Sequence, residues 1–139
     1  MNDCVFCRIV AGEIPSVRLC ETDEVLAFMD IAPIVKGHAL VIPKAHYERV
    51  TDVPPALLHR VIEAVQQTVR AQCAGLGAEG VNIHQSNGSV AGQVVPHVHF
   101  HVIPRFRNDG HHWNWRAGRY ADADDLRATA DRIRSAWQA

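Results

Sequence analysis

Between Pro96 and Pro104 the chain places histidine at every second position, His97, His99 and His101, each followed by an apolar residue, Val98, Phe100 and Val102. In an extended segment this alternation sends the three imidazoles to one face and the three apolar side chains to the other. Same-face neighbours lie about 6.5 to 7 Å apart along a strand, so three rings can line one cleft without blocking each other. Imidazole titrates near neutrality, attacks electrophiles and binds metals, and two chemistries therefore fit the pattern. In one, a His-x-His pair holds a catalytic zinc with an open coordination position. In the other, His99 attacks phosphorus while its neighbours donate hydrogen bonds to charge developing on phosphate oxygens. Nine histidines in 139 residues make some clustering ordinary, but a strict alternation bounded by prolines is not.

Two further groups belong to this chemistry. Just upstream, Asn87-Gly88-Ser89-Val90-Ala91-Gly92-Gln93 offers amide side chains and glycines that let backbone N–H groups approach an oxyanion, a phosphate cradle without lysine, with a simple turn as the other reading. Near the start, Cys4-x-x-Cys7 has the spacing with which two thiolates grip a tetrahedral zinc, provided two more ligands come from elsewhere. Reduced thiols or a redox pair are the other readings of that spacing. A redox pair belongs at a strand-to-helix junction of a βαβ pattern, and none begins here. Cys20 and Cys73 fall in apolar periodic segments and are expected in the core.

These groups need elements to position them. Residues 17–20 and 25–29 read as short strands around the polar turn Glu21-Thr22-Asp23-Glu24, and residues 38–42 as a third strand ended by Pro43, together an antiparallel meander. Thr51 or Asp52 is the expected cap of a long helix with Pro54 and Pro55 in its first turn. Leu58, Val61, Ile62, Val65 and Val69 recur along it at helical spacing, and Gly75 and Gly77 end it. Residues 81–85 read as a strand, 86–92 as a loop, and 98–103 as the strand that carries the histidines. Asp122 or Asp124 can cap a C-terminal helix whose Leu126, Ala130, Ile133 and Trp137 form one stripe. His59 falls on the polar side of its helix, His84 suits core or surface, and Trp113 and Trp115 suit either packing or a lid. Strands and helices in separate blocks, with no repeat or linker, predict one α+β domain over residues 1–139.

Composition narrows the partners. The chain is 47% apolar and 21% charged, in the globular range, and its net charge of -1 provides no basic field for nucleic acid or an anionic membrane. No apolar run approaches the roughly 20 residues a membrane span needs, and the first four residues lack the features of a signal peptide. The expectation is a cytoplasmic protein without a disulfide framework, free of nucleic-acid and membrane partners, binding any anion locally.

The His-φ-His-φ-His-φ-φ pattern, with Ala91-Gly92-Gln93 before it, resembles the histidine triad nucleotide-binding superfamily. The likeness extends to Cys4-Val5-Phe6-Cys7-Arg8-Ile9, to Phe28-Met29-Asp30-Ile31-Ala32-Pro33, and to Gly37-His38 with Val41-Ile42-Pro43-Lys44-Ala45-His46, covering roughly residues 3 to 105. The resemblance implies a hydrolase of nucleoside 5′-monophosphate derivatives: phosphoramidates, related conjugates or dinucleoside polyphosphates. Its implied fold has a long central helix and a C-terminal helix on an antiparallel sheet, and two copies join their sheets into one. By the same likeness His99 is the nucleophile, His38 orients it or hydrogen-bonds with it, and His101 contacts the phosphate. Asn87, Gly92 and Gln93 are implied as phosphate contacts and Asp30 as the holder of the ribose hydroxyls. Val5, Phe6, Ile9, Phe28 and Ile31 would then wall the pocket for a purine base. Cys4, Cys7, His46 and His97 are implied as the ligands of one structural zinc. Where the superfamily has Gly-Gln-Ser, this chain has Gly92-Gln93-Val94, and Pro96 replaces a common aromatic. The missing hydroxyl keeps open a weakly catalytic nucleotide-binding scaffold, and the His-x-His pair separately keeps open a zinc-dependent hydrolase.

Overall fold

The computed structural model describes residues 3–138. Met1, Asn2 and Ala139, the ends of the span read as one domain, lie outside the described residues. In chain order the elements are α1 (Val5–Val10), β1 (Arg18–Glu21), β2 (Val25–Met29), β3 (Ala39–Pro43), α2 (Pro55–Leu76), β4 (Gly80–Gln85), β5 (Phe100–Arg105) and α3 (Ala123–Ser135). The strands form one antiparallel sheet in the order β1-β2-β3-β5-β4. The α+β expectation holds.

The central strands show why the sequence folds in three layers. Val25 and Ala27 of β2, Ala39 and Val41 of β3, and Val98, Phe100 and Val102 pack with Val61 and Val65 of α2 on one face. The alternate residues Leu26, Phe28, Leu40 and Ile42 pack with Phe6 and Ile9 of α1 on the other. Covered on both faces, β2 and β3 are apolar throughout instead of alternating. Buried Gln72 of α2 donates to the carbonyls of Gly37 (3.0 Å) and Val102 (2.9 Å), tying the helix to the residue before His38 and to β5.

Five local expectations change. No element was expected at residues 5–10, where α1 is capped by Cys4, whose Sγ accepts from the Cys7 N–H at 3.4 Å. Neither Thr51 nor Asp52 caps α2: they lie in a separate 3-10 turn, and the helix starts at Pro55 with Pro54 as its cap. A residue before proline is pushed out of the helical region, so two consecutive prolines delay the start until the second. Gly77 ends α2 in the left-handed region at φ 69°, as expected, while Gly75 is helical. Cys20 and Cys73 are exposed, because β1 is an edge strand and Cys73 lies on the outer side of α2. Helix α3 has Asp122 as its cap, but Leu126, Ile133 and Trp137 of its stripe remain exposed.

Candidate active site and metal centre

Regular pairing of the histidine strand begins at Phe100, two residues later than the sequence pattern predicts. Residues 97–99 are held by a different contact, Val98 N–H to the Tyr47 carbonyl at 2.8 Å. The alternation survives: Val98, Phe100 and Val102 face α2, and the three imidazoles face α1.

Hydrogen bonds fix how each ring carries its proton. His99 Nδ1 lies 2.7 Å from the His97 carbonyl oxygen. A carbonyl only accepts, so Nδ1 holds the proton and neutral His99 keeps its lone pair on Nε2. Buried His38 receives the Ile34 N–H at Nδ1 (3.1 Å), so its proton is on Nε2, which lies 2.9 Å from His101 Nδ1. His101 therefore accepts at Nδ1 and carries its own proton on Nε2. The pair consists of a lone pair on His99 and an N–H on His101, with ring centroids 4.9 Å apart. His38 thus hydrogen-bonds to His101 and not directly to His99, one of the two uses the resemblance implied for it. Burial pushes His38, His97 and His99 below the ordinary imidazole range. His101 is pushed down to about 4 by burial and by His99, His38 and His84, against the pull of Asp30. Neutral imidazoles result at pH 7.

Both His99 and His101 line a cleft of about 370 Å³ with Val5, Phe6, Ile9, Phe28, Asp30, Ile31 and Gly92. Phe6 sets its ring edge-on to His99 (5.1 Å) and to Phe28 (5.7 Å), while Ile31 stands exposed on the rim. Asp30 uses Oδ1 to accept the Ala32 N–H at 2.8 Å, and its Oδ2 lies 3.6 Å from His38 Nε2.

In the loop before the histidines the amide side chains bond to the loop itself and to residues 48–50. Asn87 Oδ1 accepts the Val50 N–H at 2.7 Å, and its amide group pairs with Gln85. Gln93 accepts the Gly88 N–H and donates to the Glu48 carbonyl, each at 2.7 Å. Both side chains are occupied in shaping the loop and do not line the cleft. Gly92 does line it, at φ 92°, but its N–H is bonded to the Ser89 carbonyl at 3.0 Å. Exposed Val94, also lining the cleft, stands where the missing serine would be.

Behind the cleft, Cys4, Cys7, His46 and His97 bring four ligand atoms within 4.8 Å of one another. His97 Nδ1 lies 3.4 Å from Cys4 Sγ, 3.6 Å from Cys7 Sγ and 3.2 Å from His46 Nδ1, and Cys7 Sγ lies 3.3 Å from His46 Nδ1. His97 Nε2 donates to the Pro43 carbonyl at 2.8 Å, leaving the Nδ1 lone pair to face the cluster. Burial and the neighbouring Cys4 push the Cys7 thiol up to about 11, so a thiolate here needs a cation beside it. The set could hold a metal.

Sequence reasoning missed the groups around His101 on β4. His84 is directly opposite His101 in the β4–β5 register, and its ring stacks on Trp113. Only the pairing of the strands, which no local pattern reports, puts it there.

A HIT domain family model matches residues 11–108. The adenosine 5′-monophosphoramidase of Schizosaccharomyces pombe is 46% identical over 102 residues, 73% of this chain and 74% of that protein. A crystal structure of a HIT family member from Bacillus subtilis superposes with a TM-score of 0.90 at 38% identity, covering 99% of each chain. A zinc-bound histidine triad family protein from Mycobacterium smegmatis has a TM-score of 0.74 at 38% identity, covering 98% of this chain and 99% of that one.

Proposed function

The chain belongs to the HIT domain family, and on that footing we propose that it hydrolyses nucleoside 5′-monophosphate derivatives, phosphoramidates first among them, through a nucleotidyl-His99 intermediate. The observation that carries this reading is the His99 Nδ1–H bond to the His97 carbonyl, which leaves Nε2 unprotonated beside the cleft. In the first step His99 Nε2 forms a bond to the α-phosphorus. The P–N bond to the leaving group breaks, and its electron pair stays on a nitrogen already protonated from solvent, which departs as the amine. The phosphoryl-imidazolium so formed keeps its Nδ1–H on the His97 carbonyl. In the second step water attacks phosphorus, the P–Nε2 bond returns its pair to His99, and the water proton passes to solvent. His101 Nε2–H stabilises charge on the phosphate oxygens in both steps.

The substrate contacts follow from the cleft. Val5, Phe6, Ile9, Phe28 and Ile31 wall the purine base, and Asp30 Oδ2 accepts from the ribose hydroxyls. The Gly92 N–H is taken and Val94 has no hydroxyl, so the loop's contribution at the phosphate is the Val94 N–H, which makes no hydrogen bond among the described residues.

Cys4, Cys7, His46 and His97 would hold a zinc ion. Tetrahedral zinc with thiolate and imidazole ligands has S–N edges of about 3.6 Å and an N–N edge of about 3.4 Å. The separations of 3.3 to 3.6 Å and of 3.2 Å match that set, and a zinc-bound relative supports it. Bound there, the metal supplies cross-linking and a counter-charge to two thiolates. Four protein ligands leave no open position, which disfavours a zinc-dependent hydrolysis. His97 joins both functions, since its ring lies in the cluster and its carbonyl orients His99.

The test is a rapid quench with radiolabelled adenosine 5′-phosphoramidate. The quench is alkaline, because a P–N bond breaks once its nitrogen is protonated. A nucleotidyl adduct must appear on the parent protein, map to His99, and vanish in His99→Ala while nucleotide binding stays within about threefold. Turnover by His99→Ala at the parent rate would refute the mechanism.

A further inference from the structure

The proposed reaction uses His99 and His101, with His38 setting the tautomer of His101, but leaves a further imidazole of the same face, His84, without a task. His84 is on edge strand β4, directly opposite His101 on β5, and the two rings lie on the same side of the sheet with centroids 5.9 Å apart at 59°. On its other side His84 stacks on Trp113, with centroids 5.8 Å apart and planes within 15°.

Neither of these neighbours is loose. Trp113 Nε1 donates to Asn82 Oδ1 at 2.7 Å, and Arg105 donates to the same oxygen at 2.8 Å. Arg105 grips Asp109 through two contacts (2.7 and 3.0 Å) and donates to the His111 carbonyl at 2.6 Å, so the segment leading to Trp113 is fixed to the end of β5. The His111 ring closes on Trp113 edge-to-face at 5.0 Å. His84 is itself restrained by Ser86 Oγ, 3.0 Å from its Nε2.

We propose that His84 is a positioning residue for the reaction, pressing on the His101 ring with Trp113 behind it and so holding the His101 Nε2–H toward the substrate phosphate. This rests on the reading of His101 as the phosphate donor. The His38 bond fixes one nitrogen of His101 but leaves the ring free to swing about that bond. Contacts from two further sides remove this freedom: His99 on its own strand, and His84 across the β4 pairing. The titratable groups facing His101 are His38 from the start of β3, Asp30 from the end of β2, His99 and His84. Of these, only His38 hydrogen-bonds to His101, whereas His84 meets it through ring contact alone. An aromatic ring at position 84 is therefore what the role requires, not a titrating one.

The experiment compares His84→Ala and His84→Phe in the full-length, zinc-loaded protein with adenosine 5′-phosphoramidate as substrate. Removing the ring should lower kcat about tenfold with KM within twofold, the pattern of a misplaced group that acts in the transition state. Phenylalanine should restore kcat to within twofold of the parent, and adding Trp113→Ala to His84→Ala should cost nothing further. A His84→Ala protein with parental kcat overturns the proposal, and so does a His84→Phe protein as slow as His84→Ala. If His84→Ala does not fold, Trp113→Ala must show the same kcat loss at constant KM. Side-chain 15N NMR separates this inference from the reaction itself. His101 should be a single Nε2–H tautomer in the parent and a broadened or mixed one in His84→Ala. An unchanged His101 signal overturns the positioning role even in a protein that does not turn over the phosphoramidate, whereas absent turnover with the expected signal change refutes only the reaction.

Discussion

Acid should destabilise this protein through His101 by an amount that follows from its burial. In the unfolded chain the imidazole takes up a proton near its ordinary value of 6.5, whereas in the folded protein it does so only at about 4. Between those two values the unfolded state binds more protons, so stability falls as pH falls. Over the whole window the loss from this one group is about 3 kcal/mol, and between pH 7 and pH 5 it is about 2 kcal/mol. For a chain of this size that corresponds to a drop of roughly 5–10 °C in Tm. His38, His97 and His99 are lowered in the same direction and add to the loss. Urea unfolding of the zinc-loaded parent and of His101→Asn, each at pH 7 and pH 5, isolates the His101 share. Protonation of the metal ligands weakens both proteins alike and cancels in the difference. The parent should lose about 2 kcal/mol more than the variant. Equal losses would show that His101 titrates normally in the fold, and the neutral donor assigned to it would have to be abandoned.

Purified protein should contain one zinc per chain, and Cys7→Ser should lose the metal and lower Tm while nucleotide affinity changes less than threefold; a metal-free parent with freely reactive Cys4 and Cys7 would contradict this. Edge strand β4, with Ile83 exposed, and the uncovered stripe of α3 favour pairing of two copies, so light scattering should give about twice the 15.4 kDa chain mass. A monomer at working concentration would refute it.

The sides of the sheet were legible in the sequence, but its register was not. Period-two alternation around His99 separates rings from packing residues, and the structure keeps that separation although regular pairing starts only at Phe100. Which imidazole meets which depends on how distant strands align. Leu40 pairs with His101, so His38, two residues before Leu40, is diagonal to His101 and a further two positions from His99. His84 reaches His101 in the same way, through the β4 pairing. The loop amides show a related limit: an asparagine or glutamine beside a phosphate site can shape the loop or bind the ligand, and composition does not distinguish the two uses. Asn87 and Gln93 turn out to shape it.

The strongest constraint on the proposed nucleophile comes from a backbone atom, which no side-chain motif can advertise. The His97 ring is tied to the Pro43 carbonyl and to the Cys4, Cys7 and His46 cluster, so the peptide that carries it is held from several directions. The carbonyl of that peptide sets which nitrogen of His99 keeps its proton. A triad whose first member were merely another donor at the phosphate would tolerate movement of its backbone. Here a shift of residue 97 would rotate the hydrogen bond that keeps His99 Nε2 unprotonated. The Cys4, Cys7, His46 and His97 cluster and the proposed nucleophile are thus one mechanical unit, in which the side chain of His97 supplies rigidity and its carbonyl delivers it to the ring two residues away.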